Sequence, residues 1–515
     1  MALLARLGVL EVGLALLNVA AVGLAMWGCW RMIQRMGADR PLAALGLVIA
    51  LLLASYQFCT MASAFLFTSS LQPSAIATSA TILAMTAFLD GRLGRCGVLL
   101  ALAGAFHANF LLLNIAAFGL AFVVGELMDL GPARWRGLMR GDVLVRLARL
   151  LGPSVAIAAM TLPLILSLQA EQVSPAVAAE ADRIFFRFAV PFHYYPRDWL
   201  VKFLPFLGIE ALGLIWTARA VTDPQLRRLA LALQLALGLL VWAASALTTV
   251  VFVPVVSRLF VWRLAPFALL LAALLTVVGL LRVIAGGADG ATDARRLRLS
   301  LYALPLVAAG GAPLIGQWLP TAPIQPVLVI LAGIYLLAAL RHRLPQRVLL
   351  HTATVAAGSA LVFAALAQPS PEPRYSLLGT TPAQRAETEL YAYVARSTAP
   401  SAQFLIPPGL DSFRLRTGRA VVVDFKALPL NRSGIAEWYR RLGDVSGLAG
   451  PGSPLEVVQG YDAMDAARLE TLRCRYGLTD AVLRQPGQLT APGWSEVFRN
   501  GFYRVLHHAG GAACR

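Results

Sequence analysis

Charge is scarce in this chain, and lysine is nearly missing. Charged residues make up 14% of the 515, against 58% hydrophobic, which excludes an ordinary soluble protein. Lys202 and Lys426 are its only lysines, so the net charge of +17 is carried almost wholly by arginine, a pattern of GC-rich coding. The arginines sit in short breaks between apolar runs, where cytoplasmic loops of membrane proteins carry them. They form no stripe interleaved with stacking aromatics, which excludes nucleic acid as a partner. The five cysteines give no metal-ligand spacing. Cys29, Cys59 and Cys96 lie in or beside apolar runs, as small filler. Cys474 and Cys514 fall together near the C-terminus, and an oxidising compartment would let them pair. No cleavable signal pattern precedes the first apolar run, which is therefore expected to stay as a span. GxGxxG, Walker, GxSxG, HExxH and CxxC patterns are all lacking, so nucleotide, serine-hydrolase and zinc chemistry have no motif. No cofactor is evident, and a divalent metal is left without support.

What the chain has is long apolar runs. About 20 apolar residues cross ~30 Å of hydrocarbon as a helix. Runs of that kind occupy 8–30, 41–57, 73–89, 97–124, 150–168, 203–220, 229–251, 260–283, 299–317, 324–340 and 348–367. Beyond residue 370 the sequence reads as a soluble domain. We therefore expect an α-helical polytopic membrane protein of about ten to twelve spans, with a core over 1–368 and an α+β domain over 369–515.

The basic breaks fall at Arg31/Arg35/Arg40, Arg92/Arg95, Arg134 to Arg149, Arg227/Arg228, Arg282 to Arg298 and Arg341/Arg343/Arg347. Placing all of them in the cytoplasm requires the 97–124 run to enter and leave on one side. Gly104, His107 and Asn109 interrupt that run, so two half-helices meeting within the membrane satisfy the requirement. The 169–200 loop, the 369–515 domain and the N-terminus then lie in the periplasm of a bacterial inner membrane. Residues 134–149 read as a basic amphipathic helix on the anionic inner surface.

Several stretches resemble the GT-C glycosyltransferase superfamily of bacterial multi-pass proteins. They are Ser-Leu-Gln-Pro-Ser at 70–74 before a span, Asp-Gly-Arg at 90–92, Gly-Ala-Phe-His-Ala-Asn-Phe at 104–110 and Val-Ser-Arg-Leu-Phe-Val-Trp-Arg at 256–263. In that family a Gln-Pro precedes a span, a Gly-x-x-His sits in a broken helix pair and a late helix bears arginine. Residues 404–414, 419–426 and 437–441 resemble a periplasmic domain of unassigned function that follows such cores. The resemblance implies transfer of a sugar from a polyprenyl-phosphate donor to an envelope glycan acceptor. It also implies a first span outward and a loop bearing a catalytic Asp or Glu. Here the first span already runs inward, so it matches the family's second. A gene start placed too late, or loss of the loop, would account for this, and the catalytic residue is left unassigned.

Ahead of the C-terminal domain the candidate substrate-binding residues form three groups. Arg187, His193, Tyr194 and Tyr195 lie in the 182–199 loop, with Arg197 and Asp198; they read either as a sugar-phosphate site, arginine pairing with phosphate oxygens, or as an interfacial belt. His193 is a proton shuttle or a structural hydrogen bonder. Gln72, His107 and Asn109 are polar groups at membrane depth, lining a cavity or joining helices. Arg258 and Arg263 head a span, five residues apart and not quite on one face; Arg258 is the leading phosphate ligand, or it snorkels.

In the C-terminal domain the pattern gives helices at 387–396, 434–442 and 461–475. Strands are expected at 403–406, 420–424, 479–483, 495–499 and 502–507, the last two closed by Asn500-Gly501. Pro407-Pro408 ends a strand where sheet-edge loops commonly bind ligands. Arg414, Lys426 and Trp438, with Phe413, Arg419, Asp424, Glu437 and Arg441, read as a carbohydrate-binding face or as salt-bridged docking structure. Two functions follow: a membrane glycosyltransferase, or a non-catalytic accessory in envelope polysaccharide assembly or export. Secondary transport lacks an inverted repeat and, on this reading, acids within the spans.

Overall fold

The computed structural model describes residues 10–37, 64, 66, 72–130, 132–169, 173–194, 203–284, 382–429, 431–486 and 489–510. The expected spans at 41–57, 299–317, 324–340 and 348–367 lie outside these, as do Tyr195, Arg197, Asp198 and Cys514. The chain divides into two compact units, 1–162 with 192–372, and 163–191 with 373–515.

The first unit is helical. Its described helices are α1 Leu10–Arg35, α2 Pro73–Leu89, α3 Leu93–Phe106, α4 Ala108–Leu130 and the start of α5 Gly141–Gln169. After α6, Pro175–Arg183, which belongs to the other unit, come α7 Phe203–Ala220, α8 Pro224–Val250 and α9 Ala265–Ile284. Among the described residues, five helices are long and apolar enough to cross a membrane. Their outward faces carry large apolar side chains such as Val19 and Trp27 on α1 and Val155 and Met160 on α5, a surface suited to hydrocarbon rather than water. α9 is buried nearly all round, Phe267 through Leu275. Asp223 caps α8 by accepting from Gln225 and Leu226 backbone N–H groups, with Pro224 at the first helical position.

Two expectations are corrected here. Residues 134–149 are not one surface helix: Pro132–Met139 is a 3-10 turn, and Arg146 and Arg149 belong to α5. Nor do Arg258 and Arg263 head one continuous helix. A single turn at Pro254–Arg258 stops, a 3-10 turn spans Val261–Leu264, and α9 begins only at Ala265.

The second unit is a five-stranded mixed sheet with helices on both faces, its strands β1 Gln403–Leu405, β2 Ala420–Val421, β3 Asp480–Arg484, β4 Trp494–Arg499 and β5 Tyr503–His508 in the order β2-β1-β3-β5-β4. β1 pairs in parallel with both β2 and β3, and β5 runs antiparallel to β3 and β4. Alternation decides the faces: Phe404, Val482, Tyr503 and Val505 pack with α10, Pro382–Ser397, while Leu405, Ala481, Leu483 and Leu506 pack on the other side. That second side is covered by α11 Arg432–Ser446, α12 Pro454–Asp462 and α13 Ala466–Tyr476. The single helix expected at 461–475 is thus two, because Asp465 caps a new start by accepting from the Arg468 N–H. Asn500 closes the β4–β5 turn, its Oδ1 accepting from Phe502 and Tyr503.

Part of the expected 169–200 loop also builds this unit. Ala181 of α6 and Ile184 and Phe188 of the π-turn at Ile184–Ala189 are buried beside Trp438 and Tyr439.

Candidate functional site

The helical unit has two distinct ends. At one, Arg35 at the foot of α1 reaches Asp90 at 3.6 Å and Asp223 at 3.5 Å. Arg228 of α8 pairs with Asp129 at the end of α4. Arg146 forks onto Glu126, its two nitrogens donating at 3.0 and 2.6 Å. These pairs gather the ends of α1, α2 and α4 and the starts of α5 and α8. The basic breaks at Arg31/Arg35, Arg92/Arg95, Arg134–Arg149 and Arg227/Arg228 therefore belong to a single end.

The direction of the interrupted run follows from this. α3 leaves the basic end after Asp90-Gly91-Arg92, and α4 returns to it. Between them stands one residue, His107, in extended conformation (φ −153°, ψ 107°), ending α3 and starting α4. In a straight helix, residues seven apart lie about 10.5 Å apart along the axis. Here a Cβ on Gly104 would stand 2.5 Å from Leu111 Cδ1, so the two helices fold sharply back and only glycine fits. The expected break and reversal at Gly104–Asn109 are present, but α4 is no half-helix: at 23 residues it is long enough to cross a membrane by itself.

At the far end, this tip meets the second chain break. Phe260, between the turn at Pro254–Arg258 and the one at Val261–Leu264, is left-handed (φ 48°, ψ 52°). An aromatic side chain there is an outlier, costing on the order of 1–3 kcal/mol. Rings and a cation hold it in place. His193 and Tyr194 lie 4.9 and 5.5 Å from the Phe260 ring, and the Arg263 guanidinium lies 5.3 Å from its centroid. A break frees backbone carbonyls that need partners; Asn109 Nδ2 donates to that of Leu259.

Arg263 joins the two breaks. Its Nη1 lies 2.8 Å from His107 Nε2, and its guanidinium also stands over the Phe110 ring at 5.5 Å. Arginine can only donate, so Nε2 accepts and the imidazole carries its hydrogen on Nδ1. That Nδ1 is buried without a hydrogen-bond partner, as are Asn109 Oδ1 and Ser257 Oγ. The far end thus presents a cation, a fixed N–H donor, a carbonyl oxygen and a hydroxyl around two irregular segments. Arg258 is exposed at the same place. Tyr194 feels both arginines: burial raises its phenol above the usual range, and Arg263 and Arg258 draw it back down.

The sequence candidates therefore separate. His107, Arg263, His193 and Tyr194 come together, with Arg258 close by. Gln72 stands ahead of α2 and accepts from Ser74 at 3.3 Å. Arg187 is exposed on the π-turn of the second unit, whereas His193 belongs to the first. In that unit the carbohydrate-platform reading fails on its aromatics. Trp438 is only 5% exposed and donates Nε1 to the Asp424 carbonyl at 2.9 Å, and Phe413 is fully buried. Arg414 pairs with Asp424 at 3.0 Å and Lys426 faces Asp411 at 3.9 Å.

Two acids were overlooked. Glu210 is buried within the apolar α7, its Oε1 without a partner and its backbone carbonyl accepting from Gln234 Nε2 at 3.0 Å. Glu126 is likewise buried in α4, so the premise that the spans hold no acids is wrong. The signal was an acid inside Phe-Leu-Gly-Ile-Glu-Ala-Leu at 206–212. Among the described residues, no three His, Cys, Asp or Glu side chains gather as a metal site.

A family described as a domain of unknown function (DUF6798) matches residues 385–445, from α10 through α11. This is the stretch that resembled a domain of unassigned function. No curated protein matches the chain. Among solved structures, ArnT from Cupriavidus metallidurans is similar in its apo state at 17% identity and in its undecaprenyl phosphate complex at 13%. Each covers 97% of this chain, and 83% and 85% of the ArnT chain, with a TM-score of 0.42. A likeness of that size leaves fold and activity to be argued from this chain's own residues.

Proposed function

We propose that the far end of the helical unit binds the phosphate of a polyprenyl-phosphate-linked sugar, as in a GT-C-type membrane glycosyltransferase, and passes the sugar to an envelope glycan acceptor. The observation that carries this reading is Arg263, held between His107 Nε2 and two aromatic rings where two helix breaks meet. Arg263 and Arg258 would take the phosphate oxygens, and the His107 Nδ1 hydrogen would bond one of them. The aromatic wall of Tyr194, His193 and Phe260 suits a sugar ring or the first isoprene units.

Reading the basic end as the cytoplasmic side supports a site at the periplasmic face of an inner membrane. Cys474 of the second unit is disulfide-bonded, its partner outside the described residues; that supports an oxidising compartment for the C-terminal domain. Transfer would also need a carboxylate to deprotonate the acceptor, and no residue is assigned to that role. The accessory reading keeps the same lipid-phosphate site without transfer.

The test is incorporation of label from radiolabelled polyprenyl-phosphate sugars into envelope glycan by membranes containing the chain, with Arg258→Ala beside it. Transfer that falls in Arg258→Ala establishes the enzyme. Donor binding without transfer, over a broad sugar panel, leaves the accessory role. Neither binding nor transfer sinks the proposal.

A further inference from the structure

The second unit has a cavity of about 300 Å³ at the carboxyl end of β3, lined by Tyr461, Met464, Leu483, Arg484, Gln485 and Arg504, among others. Its place in the sheet is informative. From β1 the chain crosses to β2 on one side, while β3 lies on the other. The carboxyl ends of β1 and β3 therefore flank the point where connections diverge, the usual ligand position in parallel sheets. The loop after β1 reaches that point: a Cβ on Gly409, beside Pro407-Pro408, would stand 3.7 Å from Arg484 Nη2.

The polar groups at this cavity are incompletely satisfied. Arg504 is only 4% exposed, and its Nε and Nη2 have no hydrogen-bond partner. Its Nη1 lies 3.8 Å from the Glu496 carboxylate, which is already forked onto by Arg499 at 2.6 and 2.7 Å. Gln485 Nε2 is likewise buried without a partner. Arg484 stands at the rim with one nitrogen 3.2 Å from Asp462. A guanidinium buried with two idle donors is costly unless something accepts from them. Leu483, Met464 and Leu489 supply an apolar wall.

We propose that this cavity binds an oxyanion, a phosphate or carboxylate carried on a small organic body. Arg504 Nε and Nη2 and Gln485 Nε2 donate to it from within, and Arg484 closes over it when it releases Asp462. A buried arginine fork matches the planar spread of two oxyanion oxygens, and the volume suits a small ligand. This site stands apart from the lipid-phosphate reading of the helical unit and survives that reading's failure.

The test is binding of glucose 1-phosphate to the purified full chain in detergent, at fixed ionic strength in chloride. Glucose is the neutral match, and short-chain dihexanoyl phosphatidate is the lipid source of the same group. Saturable binding of a phosphate, with none of glucose, is expected. Arg484→Ala at the rim should weaken it about tenfold, as loss of a charged hydrogen bond does. Asp462→Asn, which frees Arg484, should tighten it several-fold. Arg504→Met should abolish it, and if that variant does not fold, the two rim variants carry the test. Preference for the soluble or the lipid phosphate assigns the source. Glucose binding as well as its phosphate, no saturable binding at all, or affinities unchanged in Arg484→Ala and Asp462→Asn would overturn the proposal.

Discussion

The two ends of the helical unit are built from similar residues to opposite effect. At the basic end, Arg35, Arg146 and Arg228 each reach a carboxylate on another helix. At the far end, Arg263 meets a neutral imidazole and aromatic faces, beside a left-handed Phe260 and buried polar atoms lacking partners. Arginine matched with acid fixes helices in register. Arginine held among neutral groups leaves its charge available to something that arrives. A left-handed aromatic residue beside a half-buried arginine that has no carboxylate among the described residues is the mark of a site rather than a joint. The second unit repeats the contrast, with Glu437 held by Arg440 and Arg441 and Arg504 left with idle donors.

The sharpest way to break this comparison is to remove one arginine from each end. Arg263→Ala should lower sugar transfer by roughly 10²-fold, as loss of one preorganised charged donor does, and Arg263→Lys should not restore it, lacking the planar fork. Rate assays on membranes with matched protein content decide this, and an unchanged rate would make Arg263 a structural residue. Arg146→Ala should do the reverse. It strands Glu126, whose side chain is 9% exposed, and should cost about 1–2 kcal/mol of stability, discounted for the half-exposed arginine. Its melting temperature should fall while transfer per folded molecule holds.

A smaller effect is expected at the middle. Asn114 donates to Thr81 across α4 and α2 at 3.0 Å, and Asn114→Leu should cost about 0.6 kcal/mol, the usual worth of such a bond between membrane helices. Thermal unfolding in detergent reads this, and loss of transfer would mean the joint extends into the site. The smallest effect is a pH dependence. Hydrogen bonding from Arg440, then Arg441, lowers the Glu437 carboxyl from its ordinary 4.5 to about 2. A depressed folded value contributes stability above pH 4.5 that is lost as pH falls through 2. Glu437 is 41% exposed, so solvent screening holds the effect below about 1 kcal/mol. The gap in stability between wild type and Glu437→Gln, followed by Trp438 fluorescence, should shrink between pH 5 and pH 3; a constant gap would contradict the pairing.

Local signals carried much of this fold. Pro73 after Gln72, and Pro224 after Asp223, mark helix starts, and the spans at 73–89 and 203–220 end where the sequence places them. His107 was legible because polar residues interrupt an apolar run, and arginine placement forced that run to double back. The break at Phe260 was not legible: Ser-Arg-Leu-Phe-Val-Trp-Arg at 257–263 has no Gly or Pro and reads as helix. Tertiary contacts from the tip at His107 accompany it. The same holds for the contact between His107 and Arg263, 156 residues apart, which no spacing rule reaches. The assignment of Ile184 and Phe188 to the second unit's core is also a tertiary result, because the loop's local pattern gave only aromatics beside arginines. The buried Trp438 shows the limit of composition: an aromatic among charges looks like a platform until burial is known.

The central claim is that the far end, and not the basic end, holds a lipid phosphate. It is tested most directly by equilibrium binding of radiolabelled undecaprenyl phosphate to the purified chain in nanodiscs, comparing Arg263→Ala with Arg228→Ala. The account predicts binding reduced at least tenfold in Arg263→Ala and kept in Arg228→Ala. Equal affinity in the wild type and Arg263→Ala, or loss confined to Arg228→Ala, would contradict it.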